Sequence, residues 1–224
     1  MKNIETKRLV LSAVIPLTIV IVILVVFLLQ YFEYFEGYKH GIYPRQKSGL
    51  VGILLAPFLH SDWSHLISNL ISFFVLATGV FYFYRDLGLL VLFICWVVGG
   101  SLTWALGRES FHIGASGLVY GLAAFLFFSG IVRQNIQLLA VSLVVVIQYG
   151  GLIWGLLPSL KEISFESHIF GGVTGFFLAI VLQNRGPRLP KNIWNREYPD
   201  EDDNQEDWTG EQDFFDDEEQ KERD

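Results

Sequence analysis

The chain has 224 residues, of which 52% are hydrophobic, 15% aromatic and only 17% charged, with a formal net charge of −7. Ordinary soluble domains carry about 25% charged residues; here the charges are also segregated, with acids crowding Glu201 to Asp224 and several long earlier runs holding none. This pattern excludes a nucleic-acid binder with a basic face and describes a membrane-embedded body with a polar tail.

A helix crossing about 30 Å of hydrocarbon needs roughly 20 apolar residues. Runs meeting or approaching that length predict spans at about 9–30, 63–84, 87–107, 113–132, 134–157 and 167–184. The first is too long for the apolar core of a signal peptide and no small-residue cleavage site follows it, so it is expected to be retained. Pro16 inside it is tolerable in a membrane helix. The loops after the second span are short, and the expectation is one all-α, six-helix membrane domain over residues 1–190.

Lys2, Lys7, Arg8, Arg85, Arg133, Arg185, Arg188, Lys191 and Arg196 fall on one side of such a bundle; Lys39, Arg45, Lys47, Arg108 and Lys161 fall on the other. The positive-inside rule then places both termini in the cytoplasm. With no organellar targeting segment visible, the expected compartment is a bacterial cytoplasmic membrane. Between the first two spans, residues 30–62 are rich in Tyr and Phe and include Ile53–Leu59, too short to cross. Aromatic rings favour the water–lipid boundary, so this loop is expected to lie in the outer interface. Residues 191–224 have too few aliphatic side chains to offset chain entropy and read as an acidic, disordered tail.

Cys95 is the single cysteine, which excludes an intramolecular disulfide and a cysteine-based metal site. The informative residues are polar ones where lipid is expected, because such groups are costly and usually face the bundle interior. His65 and Asn69, four apart, share a helix face near the start of the second span. Gly114-Ala115-Ser116-Gly117 opens the fourth, with Tyr120 one turn further on, and Ser167-His168 opens the sixth. Even-numbered spans run in the same direction, so these residues share one leaflet at similar depth. Gly117 and Gly121, and Gly171 and Gly175, are small-xxx-small pairs of the kind that let membrane helices approach closely. If those faces meet, the Ser116 hydroxyl and the His168 imidazole become neighbours. Each residue also has a bland reading: a serine bonding back to its own turn, an interfacial histidine, an asparagine joining two helices.

Together the motifs resemble those of the rhomboid family of intramembrane serine proteases. His60-Ser61-Asp62-Trp63-Ser64-His65 with Asn69 is similar to the second-helix signature of that family. Gly114-Ala115-Ser116-Gly117 with Tyr120 and Gly121 is similar to its nucleophile motif, and His168 with Gly171, Gly175 and Ala179 to its base-bearing helix. The resemblance implies a Ser116 nucleophile and a His168 general base, with no acidic third member. It implies an oxyanion hole made by His65, Asn69 and the backbone N–H of Ser116. Tyr120 would pack on the His168 ring, and His60 would be a structural hydrogen-bonding residue. The implied substrates are single-pass or polytopic membrane proteins cut near the outer leaflet, with no cofactor, metal or nucleic acid involved. The loop lacks the Trp-Arg pair common in the family. Two other readings compete: a catalytically inactive rhomboid-like scaffold, which would usually lack the serine or the histidine, and a small transporter, whose polar groups would be spread along the depth of the bundle.

Overall fold

The computed structural model describes residues 2–148 and 164–186. Residues 149–157 of the fifth predicted span and the whole acidic tail lie outside these residues. Seven helices occur among the described residues: α1 (Lys2–Tyr31), α2 (Gly52–Leu55), α3 (Trp63–Phe83), α4 (Gly88–Leu106), α5 (Ser116–Val132), α6 (Ile136–Gln148) and α7 (Phe165–Val181), alongside four short 3-10 turns. No strand occurs among the described residues; one isolated antiparallel bridge joins Ile42 to His112. Three stretches, Ile4–Tyr31, Trp63–Phe83 and Arg85–Leu106, are long and apolar enough to cross a membrane, while Ser116–Val132 and Phe165–Val181 are shorter apolar helices.

The distribution of side chains is that of an integral membrane protein. Leu9, Leu11, Val14, Leu17, Ile21 and Val25 of α1, Leu89 and Phe93 of α4, and Phe177 and Val181 of α7 all point outward. In water so much exposed apolar surface would drive association, whereas lipid solvates it. The polar residues of α1 are absorbed locally, with Ser12 donating to the Arg8 carbonyl (2.9 Å) and Thr18 to the Val14 carbonyl (2.9 Å). Pro16 sits within α1 without ending it.

The helix starts have identifiable causes: α3 begins at the predicted residue 63, whereas α5, α6 and α7 begin two or three residues away from their predicted starts. Asp62 caps α3 by accepting the His65 backbone N–H at 2.9 Å, which satisfies a donor that has no intrahelical partner. Asn135 does the same for α6 through the Gln137 and Leu138 amides. α5 begins at Ser116 and not at Ile113, because Gly114 takes a positive φ of 98° and its N–H donates outward to the Ala56 carbonyl. α7 begins at Phe165, two residues before the predicted start, so it includes Glu166.

α5 is the central helix. It packs most extensively against α7 and also meets α3, α4 and α6, and its Leu118, Val119, Leu122, Phe125 and Leu126 lie in the main core with Phe73, Leu76 and Val80 of α3. The α5–α7 contact is made of backbone. A Cβ on Gly171 would lie 1.9 Å from the Gly117 carbonyl oxygen, and one on Gly175 would lie 2.0 Å from that of Gly121. α4 closes on the same seam: the Cβ position of Gly99 is 3.4 Å from the Gly171 Cα, and that of Gly121 is 3.0 Å from the Cys95 Cβ.

The loop after α1 folds back on α4 in short helical turns. Trp96 Nε1 donates to the Ile53 carbonyl (2.8 Å), and Trp104 Nε1 donates to the Gln46 carbonyl (2.9 Å). Arg45 joins through its backbone N–H to the Trp104 carbonyl and through its guanidinium to the Gly107 carbonyl. Docking is thus supplied by tryptophans on the helix that the loop lies against.

Gly171→Ala should separate α5 from α7 at a cost of about 1–3 kcal/mol, the usual penalty for forcing extra volume into a packed seam. Gly172→Ala, where nothing lies within 4 Å of the added Cβ, should leave stability nearly unchanged. Thermal unfolding of the two variants in detergent compares them directly, and equal midpoints would contradict the seam.

Candidate functional site

Three of the helices begin at the same end of the bundle and bring their first turns together. On α5 and α7, His168 Nε2 and Ser116 Oγ lie 2.8 Å apart, a full hydrogen bond. Their chain positions differ by 52 residues, and the glycine seam beneath them sets the approach. The Tyr120 ring stacks on the His168 imidazole with centroids 4.2 Å apart and planes 10° from parallel. That contact restricts rotation of the imidazole while leaving its edge directed at the serine. His168 and Tyr120 are both buried.

From α3, His65 and Asn69 reach the segment that leads into Ser116. A Cβ on Gly114 would lie 2.6 Å from His65 Nε2 and 3.6 Å from Asn69 Nδ2. Glycine is needed there twice over, for the positive φ and for the space that the imidazole takes. Asn69 donates one amide hydrogen to the His65 carbonyl at 3.0 Å. An amide carries two such hydrogens, so one remains to be directed elsewhere. His65 Nδ1 lies 3.1 Å from Ser61 Oγ, whose hydroxyl donates to Asp62 at 2.7 Å. Asp62 is held below the usual carboxylate range, first by the Ser61 hydroxyl and then by the His65 backbone N–H.

His60 lies at the end of the loop, just before the α3 cap. Its ring is fully buried, stacks edge-on against His65 at 5.0 Å between centroids and has the Phe58 backbone as its polar neighbour. Its own carbonyl accepts Gln30 Nε2 at 2.6 Å. Burial, reinforced by the neighbouring His65, lowers the His60 pKa to about 3.

A cleft of about 390 Å³, counted with its open mouth, runs beside the serine between the loop, α4 and the first turn of α5. Ile42, Ile53, Trp96, His112, Gly114 and Ser167 are among its walls. A hydroxyl bonded to an imidazole, with an amide donor and a second imidazole beside it and an adjoining cleft, is an arrangement suited to acyl transfer. Among the described residues, no group of three or more His, Cys, Asp or Glu could hold a metal ion.

These features define an all-helical integral membrane protein with a serine–histidine pair where its helix starts converge. The sequence profile of the Rhomboid domain matches residues 47–185, more than half of the chain, and the chain belongs to that family. Its members are in general intramembrane serine proteases. An uncharacterized protein of Mycobacterium tuberculosis (strain ATCC 25618 / H37Rv) is 36% identical over 157 residues, covering 64% of this chain and 63% of the relative. One of Mycobacterium leprae is 34% identical over 154 residues, covering 64% of this chain and 61% of the relative. A protein of Acanthamoeba polyphaga mimivirus whose name includes the words rhomboid protein is 24% identical over 147 residues, covering 60% and 76%. The chain thus spans less than two thirds of the length of the mycobacterial relatives that it matches.

Sequence reasoning missed a set of polar residues behind the pair: Arg108, Ser164 and Glu166, together with the part played by His112. Glu166 carried a legible signal. It is an acid two residues before His168, and the predicted span at 167–184 begins one residue after it.

The histidine burial has a measurable consequence. In the unfolded chain a histidine titrates near 6.5, whereas His60 stays neutral in the folded protein down to about 3. Across that window the unfolded state binds one proton more, so stability falls as the pH drops below 6.5 and is unaffected above it. Between pH 7 and pH 5 His60 should cost on the order of 2 kcal/mol. A lower thermal midpoint at pH 5 is expected, and His60→Phe should flatten that acid slope; an unaltered slope would assign it to other groups.

Proposed function

We propose that this protein is a six-span rhomboid serine endopeptidase that hydrolyses peptide bonds of membrane-spanning proteins near the outer leaflet, with both of its termini in the cytoplasm. The observation that carries the reading is the 2.8 Å bond between Ser116 Oγ and His168 Nε2, held under the Tyr120 ring. In the first step His168 Nε2 takes the Ser116 hydroxyl proton as Oγ attacks the scissile carbonyl carbon. The carbonyl oxygen becomes an oxyanion, received by the Ser116 backbone N–H and the free amide hydrogen of Asn69, and by His65 Nε2–H once Ser61 turns its single hydroxyl hydrogen from Asp62 to His65 Nδ1. His168 returns its proton to the leaving amine. Water then repeats the sequence on the acyl ester and frees Ser116.

Leaving out a third, acidic member is physically sensible here, since an ionised carboxylate buried beside the pair would be expensive. The stack on Tyr120 supports the imidazole orientation that such a carboxylate would otherwise supply. At 1.5 Å per residue the 17 residues of α5 rise about 26 Å, less than a hydrocarbon core of about 30 Å. With its C-terminal end at the inner boundary, Ser116 lies recessed below the outer one, where water can still enter. A substrate helix must open there before its carbonyl can be attacked, because an intact helix engages its own carbonyls. An inactive scaffold is the alternative, and the retained hydrogen bond between serine and histidine speaks against it.

A fluorophosphonate probe applied to membranes containing the protein should label it covalently. Labelling should vanish in Ser116→Ala and fall sharply in His168→Ala. Asn69→Ala should lower turnover of a single-span substrate by about 10²–10³-fold, the usual effect of losing one oxyanion donor, with little change in thermal midpoint. Labelling that persists in Ser116→Ala would defeat the assignment.

A further inference from the structure

A second polar network lies behind the serine–histidine pair and joins the segment between α4 and α5 to the first turn of α7. Glu166, in that first turn, has a side chain only 10% exposed, and its Oε1 lies 3.4 Å from Arg108 Nε. Its Oε2 is buried without a hydrogen-bond partner among the described residues. The Arg108 guanidinium also sits over the Phe165 ring, 5.4 Å from its centroid. His112, almost completely buried, bonds through both ring nitrogens. Nε2 lies 3.1 Å from the Arg108 carbonyl, and Nδ1 lies 2.5 Å from Ser164 Oγ. Ser164 Oγ in turn lies 2.6 Å from Ser167 Oγ.

The protons in this chain can be placed by elimination. The Arg108 carbonyl can only accept, so Nε2 of His112 carries hydrogen and donates to it. Burial disfavours the charged ring and lowers the His112 pKa, so Nδ1 of the neutral ring accepts from the Ser164 hydroxyl. Ser164 then accepts from Ser167, the residue directly before His168. The backbone of His112 is fixed as well, exchanging two hydrogen bonds with Ile42 at 2.8 and 2.9 Å. Ser167 also packs on α5, its carbonyl oxygen 3.1 Å from the Cβ position of Gly117.

We propose that Arg108, His112, Ser164 and Glu166 are positioning residues that clasp the first turn of α7 and thereby set the height and rotation of His168 against Ser116. Among the described contacts they bond to one another and to Ser167, and not to Ser116 Oγ or His168 Nε2. The glycine seam fixes how closely α5 and α7 approach, but two smooth backbone faces can still slide or turn past one another. The clasp removes that freedom at the end where the base sits. Glu166 also makes the clasp asymmetric: without Arg108 its carboxylate would remain buried and uncompensated, which is worse than removing both charges.

The inference rests on the proposed Ser116–His168 chemistry, and the test keeps the two apart. The intact protein in detergent is labelled with a fluorophosphonate, and the maximal labelling rate (kinact) and half-saturating concentration (KI) are measured separately. Exchange of the backbone amides at 164–170 is followed in parallel. Arg108→Ala and Ser164→Ala should lower kinact at least about tenfold, as displacement of a catalytic group does, with KI nearly unchanged. Exchange should rise at 164–170 and stay constant in α3. Arg108→Ala/Glu166→Gln should recover part of the rate lost in Arg108→Ala, and Arg108→Lys should recover more. If Arg108→Ala fails to fold, Ser164→Ala removes a single hydroxyl and carries the test. Wild-type kinact in the folded variants, or unchanged exchange at 164–170, overturns the clasp. Failure of the wild-type protein to label refutes the hydrolase reading, and the exchange data then still decide the clasp.

Discussion

The Gly117 carbonyl oxygen occupies the place where any side chain at position 171 would begin, and the Gly121 carbonyl does the same at position 175. Everything else in the site depends on that backbone-to-backbone contact. In lipid there is no hydrophobic drive to press two helices together, so close packing and the loss of every intervening methyl group are what hold the pair. With the two helices at this distance, a serine on one and a histidine on the other come within hydrogen-bond reach. The same approach lets the Tyr120 ring lie flat on the imidazole.

Around this seam the chain uses two different kinds of element. Helices supply depth and direction, while irregular backbone supplies turns that a helix cannot make. Gly114 at positive φ swings the chain into α5 and passes its N–H to Ala56, so the loop after α1 forms part of the wall around the serine. Non-helical backbone at such a depth is tolerated only when protein covers it. Trp96 and Trp104 provide that cover by donating to the carbonyls of the loop.

Much of this was readable in the residues. Alternation of spans placed His65, Asn69, Ser116 and His168 at one end, because direction in a membrane bundle follows simply from counting. The paired glycines announced a close contact, since a four-residue spacing puts both on one face. Other features depended on tertiary detail that periodicity does not carry. Hydropathy blurred the start of α5, because Ile113 is as apolar as a helix residue although its backbone belongs to the preceding turn. The packing of the His60 ring against His65, and the bond its carbonyl accepts from Gln30, join residues that no local spacing connects. The loop lacked a recognisable docking pair of its own, and the tryptophans that hold it come from forty or more residues away.

The order of the elements along the chain has a consequence for synthesis. Ser116 lies on the central helix and His168 on α7, the last helix among the described residues, with the seam glycines divided between the same two. A nascent chain carrying α1 to α6 therefore holds Ser116 without His168 and a backbone groove without its filling. The hydrogen bond between Ser116 and His168 cannot form until α7 has been made and has closed against α5.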